Sequence, residues 1–268
     1  MGKKDFVKLN QEILDEWEAR INAKENEPNF APDGILYRGK PEDYATYSEF
    51  TENKEKENKL WSEAPIRYMF LTKDQNAWGE DAWDVRGETG RKQKDSESIP
   101  YRFYRNLMYI LYGLTHSRDK LCGYDDFTNQ QAIKEYDEAP LARINVKKQA
   151  GSSSIANGTL EQYIHDYKDL LKKQVELLDA DVLVCCGYSE SVGETGNLIL
   201  NFLKENVYDF KKFDDWIYVE KEDDKVKRIA INAWHLSYSG VSQRDFYEGL
   251  VSSYHNFIQK HPEFVKHR

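Results

Sequence analysis

Three polar side chains stand just beyond apolar runs, and each offers a different chemistry. Asp74 follows "IRYMFLT" (66–72), Asn145 closes "LARIN", and His235 follows "RIAINAW". Asn145 carries one donor and one acceptor in a plane, which suits reading a planar edge. Lys147 and Lys148, followed by "GSSS", offer ammonium and backbone N–H groups to a phosphate. The run lacks GxxxxGK[ST], so it is no Walker loop, and it also reads as a strand end with a polar turn. Beyond His235, Ser237 and Ser239 offer hydroxyls to a phosphate and Arg244 a guanidinium. A lone histidine at a strand end is also an ordinary polar residue, so position decides between the readings. The segment "TKDQNAWGEDAWDVRG" packs acids and indoles densely around Asp74, Trp78 and Trp83. Long irregular loops of this kind carry function more often than filler, although such indoles also pack back on the body.

The elements that must position these residues follow from periodicity. "DFVKLNQEILDEWEARINAK" places Phe6, Leu9, Ile13, Leu14, Trp17 and Ile21 at helical spacing. A Pro-, Gly- and Asn-rich lead-in follows, then the charged run "ENKEKENK", a solvated helix face or a loop. From residue 61 strand-like and helix-like segments alternate. Strands are predicted at 66–72, 141–148 and 181–187, helices at 101–114 and 159–180, and a hairpin across 216–234 with an acidic turn. Thr159 and Gln162 sit at capping-box spacing for the second of those helices. The last helix covers roughly 242–261. This order predicts a three-layer α/β/α sandwich with a mainly parallel, four-stranded central sheet. Residues 1–60 form a helical and extended lead-in, and 61–268 form the α/β body. In such folds ligands bind beyond the carboxyl ends of the strands, where Asp74, Asn145 and His235 stand.

Composition excludes several classes. The 268 residues carry a net charge of −9, which argues against a broadly basic nucleic-acid-coating protein but leaves room for a local basic patch. Three cysteines, two of them adjacent and none in a CxxC, make zinc and iron–sulfur centres poor readings. They suit a reduced, cytoplasmic chain. No run approaches the ~18 apolar residues of a membrane span, and the charged N-terminal segment is not a secretory signal.

Taken in order, the strand-end motifs resemble the uracil-DNA glycosylase superfamily in its more divergent bacterial branches, over roughly residues 33–258. "TKDQN" is similar to the family's G-Q-D-P loop, with Asp74 at the catalytic acid. "INVKK" is similar to N-V-V-K, with Asn145 at the residue that reads uracil. "LLKKQVELLDADVLVCCG" supplies the helix and strand ending in Gly, and "HLSYSGVSQRDF" is similar to H-P-S, with His235 and Ser237 in register. The chain departs from the pattern at Thr72 (Gly in the family), at Gln75 and Leu236 (both Pro), and at Ser239, where one branch has an apolar wedge. Tyr238 or Val241 would then have to fill the emptied stack.

The resemblance implies a DNA-repair hydrolase that breaks the N-glycosidic bond of a flipped, damaged base. It implies no metal or cofactor. Asp74 would stabilise the cationic sugar and orient water, and a neutral His235 would donate to the base oxygen. Asn145 would pair with the base, and Trp78 or Phe103 would stack on it. Lys147, Lys148, Ser237 and Arg244 would contact phosphate, with Arg86, Arg91 and Lys92 as further basic candidates. The expected partner is DNA or a small base or nucleotide, with no membrane. Two alternatives stay open. One is a non-catalytic base, nucleotide or nucleic-acid binder on the same fold. The other is a protein-interaction module that uses the Trp-rich loop 74–86.

Overall fold

The computed structural model describes residues 4–24, 29–40, 54–76, 82–88, 99–151, 155–189 and 195–265. Helices α1 (Phe6–Asn22) and α2 (Lys54–Glu63) precede the body. The helices that follow are α3 (Arg102–His116), α4 (Asn129–Glu138), α5 (Asn157–Leu178), α6 (Leu198–Asn206) and α7 (Gln243–Lys260). The strands are β1 (Gly34–Ile35), β2 (Tyr68–Thr72), β3 (Leu141–Asn145), β4 (Val182–Tyr188), β5 (Lys211–Lys212), β6 (Ile217–Glu222) and β7 (Lys225–Trp234).

The chain is α/β, but the sheet is larger than the sequence pattern predicts. Seven strands lie in the order β1-β3-β2-β4-β7-β6-β5, and the sheet is mixed, not four-stranded and mainly parallel. The pairings β3–β2, β2–β4 and β4–β7 are parallel, while β1, β6 and β5 join antiparallel. The difference has a physical origin. β1 and β5 are two residues long and too short to show any alternation, so their pairing is set by neighbours in space. β6 belongs to the predicted hairpin, turned by Asp223 and Asp224, both at positive φ.

Burial on both faces explains why β2 reads as an unbroken apolar run: all five of its residues are buried. Tyr68 and Phe70 enter one core with α3, α4 and α7, while Met69 and Leu71 enter a second core with α1, α5 and α6. The adjacent cysteines divide the same way, Cys186 to the first core and Cys185 to the second. The alternation assigns the strand ends to faces. Thr72, Asn145 and His235 each lie an even number of residues from Phe70, Leu141 and Ala233, on the face covered by α3.

Helix boundaries follow local chemistry with one correction. Thr128 caps α4 through the Gln131 N–H, and the Gln131 side chain returns to Thr128 in a full capping box. Asn197 caps α6. The box predicted at Thr159 does not form: α5 already starts at Asn157, after Ala156 in extended conformation, with no side-chain cap. α1 is fastened to α5 by the Trp17 indole N–H donating to the Tyr163 hydroxyl at 3.0 Å and by Arg20 pairing with Asp169. Among the described residues no helix is long and apolar enough to cross a membrane.

Candidate functional site at the carboxyl edge of the sheet

β2 and β3 run in register, Thr72 opposite Asn145. Their pairing continues past the strands: Val146 N–H donates to Thr72 O, Lys147 N–H to Lys73 O and Gly151 N–H to Gln75 O, all at 2.8 Å. The segment after β2 is therefore held against the segment after β3. Asp74 comes to rest beside Gly151, where a Cβ would lie 2.9 Å from its Oδ2 and 3.7 Å from Lys147 Nζ. Gly151 is thus the space that the carboxylate occupies. Burial pushes the Asp74 carboxyl above the usual carboxylate range, and the Lys147 and Lys73 charges partly offset that rise.

Asn145 is fully buried. Its backbone N–H donates to Asp33 Oδ2 at 2.7 Å, and its carbonyl accepts from Lys148 Nζ at 2.8 Å. Lys148 Nζ also donates to both oxygens of Asp33, at 2.7 and 2.6 Å, and Gln174 Nε2 donates to Oδ1 at 2.9 Å. Lys148 is wholly buried in this pair. That corrects its reading as a phosphate contact: its ammonium lies in the core and holds the Asn145 backbone. On the side-chain side, the Thr72 hydroxyl donates to Asn145 Oδ1 at 2.6 Å, while Asn145 Nδ2 is buried without a hydrogen bond.

His235 stands one residue past β7, on the same face. Its ring lies 6.1 Å from that of Phe103, near the start of α3. The Arg143 guanidinium lies over the same Phe103 ring at 5.1 Å. Phe103 therefore lies between the Arg143 guanidinium of β3 and the His235 ring beyond β7. β2 and β7 are two strand spacings apart, about 10 Å. Thr72, Asn145 and His235 lie at strand ends on this face, and the Lys73 charge acts on both Asp74 and His235. Asn106 Nδ2 donates to Leu236 O at 2.7 Å and locks α3 to the turn after His235.

The His235 ring is set up as a neutral donor. Ser237 N–H donates to Nδ1 at 3.3 Å, which leaves the proton on Nε2. Burial, reinforced by the Lys73 charge, pushes its pKa down to about 4. A group whose folded pKa is depressed below its unfolded value near 6.5 gives stability that is full above 6.5 and is lost as pH falls through about 4. The expected loss between those values is about 2–3 kcal/mol, allowing for the exposed edge of the ring. Urea midpoints at pH 7 and pH 4 should show this slope in the wild type and a smaller one in His235→Gln. An identical slope in both would contradict the assignment.

The remaining candidates distribute unevenly. Lys147 is half-buried and donates to Gln149 O at 2.6 Å. Ser237 is exposed at the turn. Arg244 is exposed on α7, but it is paired with Asp125 and Glu248 and lies over Tyr124. Arg86 is clamped on Asp84 and Gln11. Trp78, Arg91 and Lys92 lie outside the described residues. Of the two wedge candidates, Tyr238 is 44% exposed and stacked on Trp234, whereas Val241 packs against the first core.

Several contributors carry no local signal in the sequence. Glu88 accepts from the Trp83 indole N–H at 2.8 Å, from the Tyr104 hydroxyl at 2.9 Å and from Arg143. Gln75, where the resemblance expects Pro, is buried and clamps the Trp83 backbone, donating to its O at 2.8 Å and accepting from its N–H at 3.1 Å. The Trp-rich loop is thus tied to the body at Trp83. Asp33 lies in a Pro- and Gly-rich lead-in, and nothing near it announces a buried carboxylate. Comparison with protein-family models, curated proteins and solved structures gives no match for this chain.

Proposed function

We propose that the carboxyl end of the sheet beside Phe103 takes up a flipped nucleobase and hydrolyses its N-glycosidic bond, as a cytoplasmic DNA-repair enzyme with uracil the leading substrate. One observation carries the reading. Asp74, Asn145 and His235, far apart in sequence, follow or end neighbouring strands of one sheet edge, where Thr72 pairs with Asn145, Phe103 packs near His235, and the Lys73 charge acts on both Asp74 and His235. A carboxylate, a carboxamide, a neutral imidazole and an aromatic ring are the kinds of group that base release uses.

In the step itself the bond between the base nitrogen and the sugar C1′ breaks, and its electron pair leaves with the base. His235 Nε2–H donates to the base oxygen on which that charge gathers. Asp74 balances the cationic sugar and orients the water whose oxygen bonds to C1′. The released proton passes to Asp74 or to solvent. Ser237 and Lys147 remain the phosphate contacts beside the pocket.

A second reading, binding without turnover, is favoured by the charge. The net charge is −9, Lys148 is buried, and Arg244 is held by two carboxylates, so these two cations are not poised for a DNA backbone. Single-stranded oligonucleotides carrying uracil, hypoxanthine or xanthine separate the readings. The enzyme reading expects an alkali-labile site and free base from at least one of them. A chain that binds these strands or their bases and returns every strand intact is a binder.

A further inference from the structure

The Thr72–Asn145 contact goes beyond placing the pocket, because it decides which edge of a ligand the pocket accepts. Both side chains are fully buried, at the ends of neighbouring parallel strands. A carboxamide oxygen only accepts, so in the 2.6 Å contact the Thr72 hydroxyl is the donor and Asn145 Oδ1 the acceptor. The hydroxyl's 3.4 Å approach to Ile144 O is secondary. Turning Oδ1 toward Thr72 turns Nδ2 away from it, and Nδ2 is buried with no hydrogen-bond partner. An unsatisfied buried N–H group costs about 1–3 kcal/mol, and such a cost is met when an acceptor arrives with a ligand. The residue responsible stands where the resembling motif has Gly, which has no hydroxyl to give.

We infer that Thr72 is a specificity-determining residue: its hydroxyl takes one lone pair of Asn145 Oδ1 and so fixes which way the carboxamide faces, leaving Nδ2 to receive a carbonyl acceptor on the base. This rests on the base-binding reading above and narrows it. Bases with a ring carbonyl at that edge, such as uracil, hypoxanthine and xanthine, satisfy Nδ2. Bases with an exocyclic amine there, such as cytosine and adenine, set donor against donor and leave both groups unpaired.

The test is titration calorimetry of the full chain with uracil and cytosine as free bases. The wild type should bind cytosine at least about tenfold more weakly than uracil. Thr72→Val removes the donor that fixes the carboxamide, so Asn145 can turn over and the preference for uracil should shrink by at least about threefold. Thr72→Ser keeps the hydroxyl and should keep the wild-type ratio. A wild type that binds cytosine as tightly as uracil, or a folded Thr72→Val with an unchanged ratio, overturns the inference and leaves the pocket standing. If no base binds the wild type, the pocket reading falls and this inference with it. Should Thr72→Val not fold, Thr72→Ala carries the same expectation.

Discussion

Asp74→Asn should lower base release about a thousandfold while leaving base binding within a few-fold of wild type. In the proposed reaction the carboxylate acts on charge that appears only as the glycosidic bond breaks, so its loss should fall on the chemical step and not on the ground state. Asparagine has the same shape and fits the space beside Gly151, so the fold has no steric reason to change. The stability consequence has a definite sign. Burial raises the Asp74 pKa in the folded protein. A raised acid favours folding fully below its unfolded pKa, and that contribution disappears as pH rises through the folded value. Above the folded value the ionised Asp74 is therefore a net cost to folding, which asparagine relieves. Single-turnover release and urea unfolding, measured together, should show activity lost with stability unchanged or slightly higher. Parallel losses of both would mean that Asp74 is structural. The same shift places the acid limb of the wild-type pH–rate profile above the range of an ordinary carboxylate.

The largest stability effect is expected at Lys148. Replacing it with Met leaves the Asp33 carboxylate buried without its cation, with Gln174 Nε2 and the Asn145 N–H the remaining donors among the described residues. Breaking a buried pair from one side costs about 3–5 kcal/mol. That should appear as a large fall in the urea midpoint. The Asp33→Asn, Lys148→Met double variant removes both charges and should recover much of the loss. The cycle then separates the cost of an orphaned charge from the worth of the pair. Because Asp33 and Lys148 both hold the Asn145 backbone, the double variant should also bind base more weakly than its stability would suggest. A Lys148→Met variant as stable as wild type would show that the ammonium is not buried in this pair.

What the sequence made legible depends on how local each signal is. β2, β3, β4 and β7 are visible as apolar runs because both faces of each are covered. The α/β class and the strand-end positions of Asp74, Asn145 and His235 follow from those runs. The two-residue strands β1 and β5 hold too few side chains to show a period, so the sheet came out wider and more mixed than the pattern allowed. "VKK" shows the limit most clearly. Two adjacent lysines look alike in sequence, yet one stays at the pocket edge. The other turns inward to a carboxylate 115 residues away, a pairing no local pattern encodes. The Glu88–Arg143 contact, 55 residues apart, is hidden for the same reason. Thr72 was visible as a departure from the motif. Its consequence emerged only once Asn145 was set opposite it, since a hydrogen bond across two strands depends on register.

The proposed function is release of a base from DNA at the strand ends beside Phe103. Its most direct measurement is the detection of free uracil when excess protein meets a single-stranded oligonucleotide carrying one uracil, with Asp74→Asn run in parallel. The claim predicts free base and one alkali-labile site per strand for the wild type, and neither for the variant. Intact strands from the wild type, under conditions where it demonstrably binds the oligonucleotide, would contradict it.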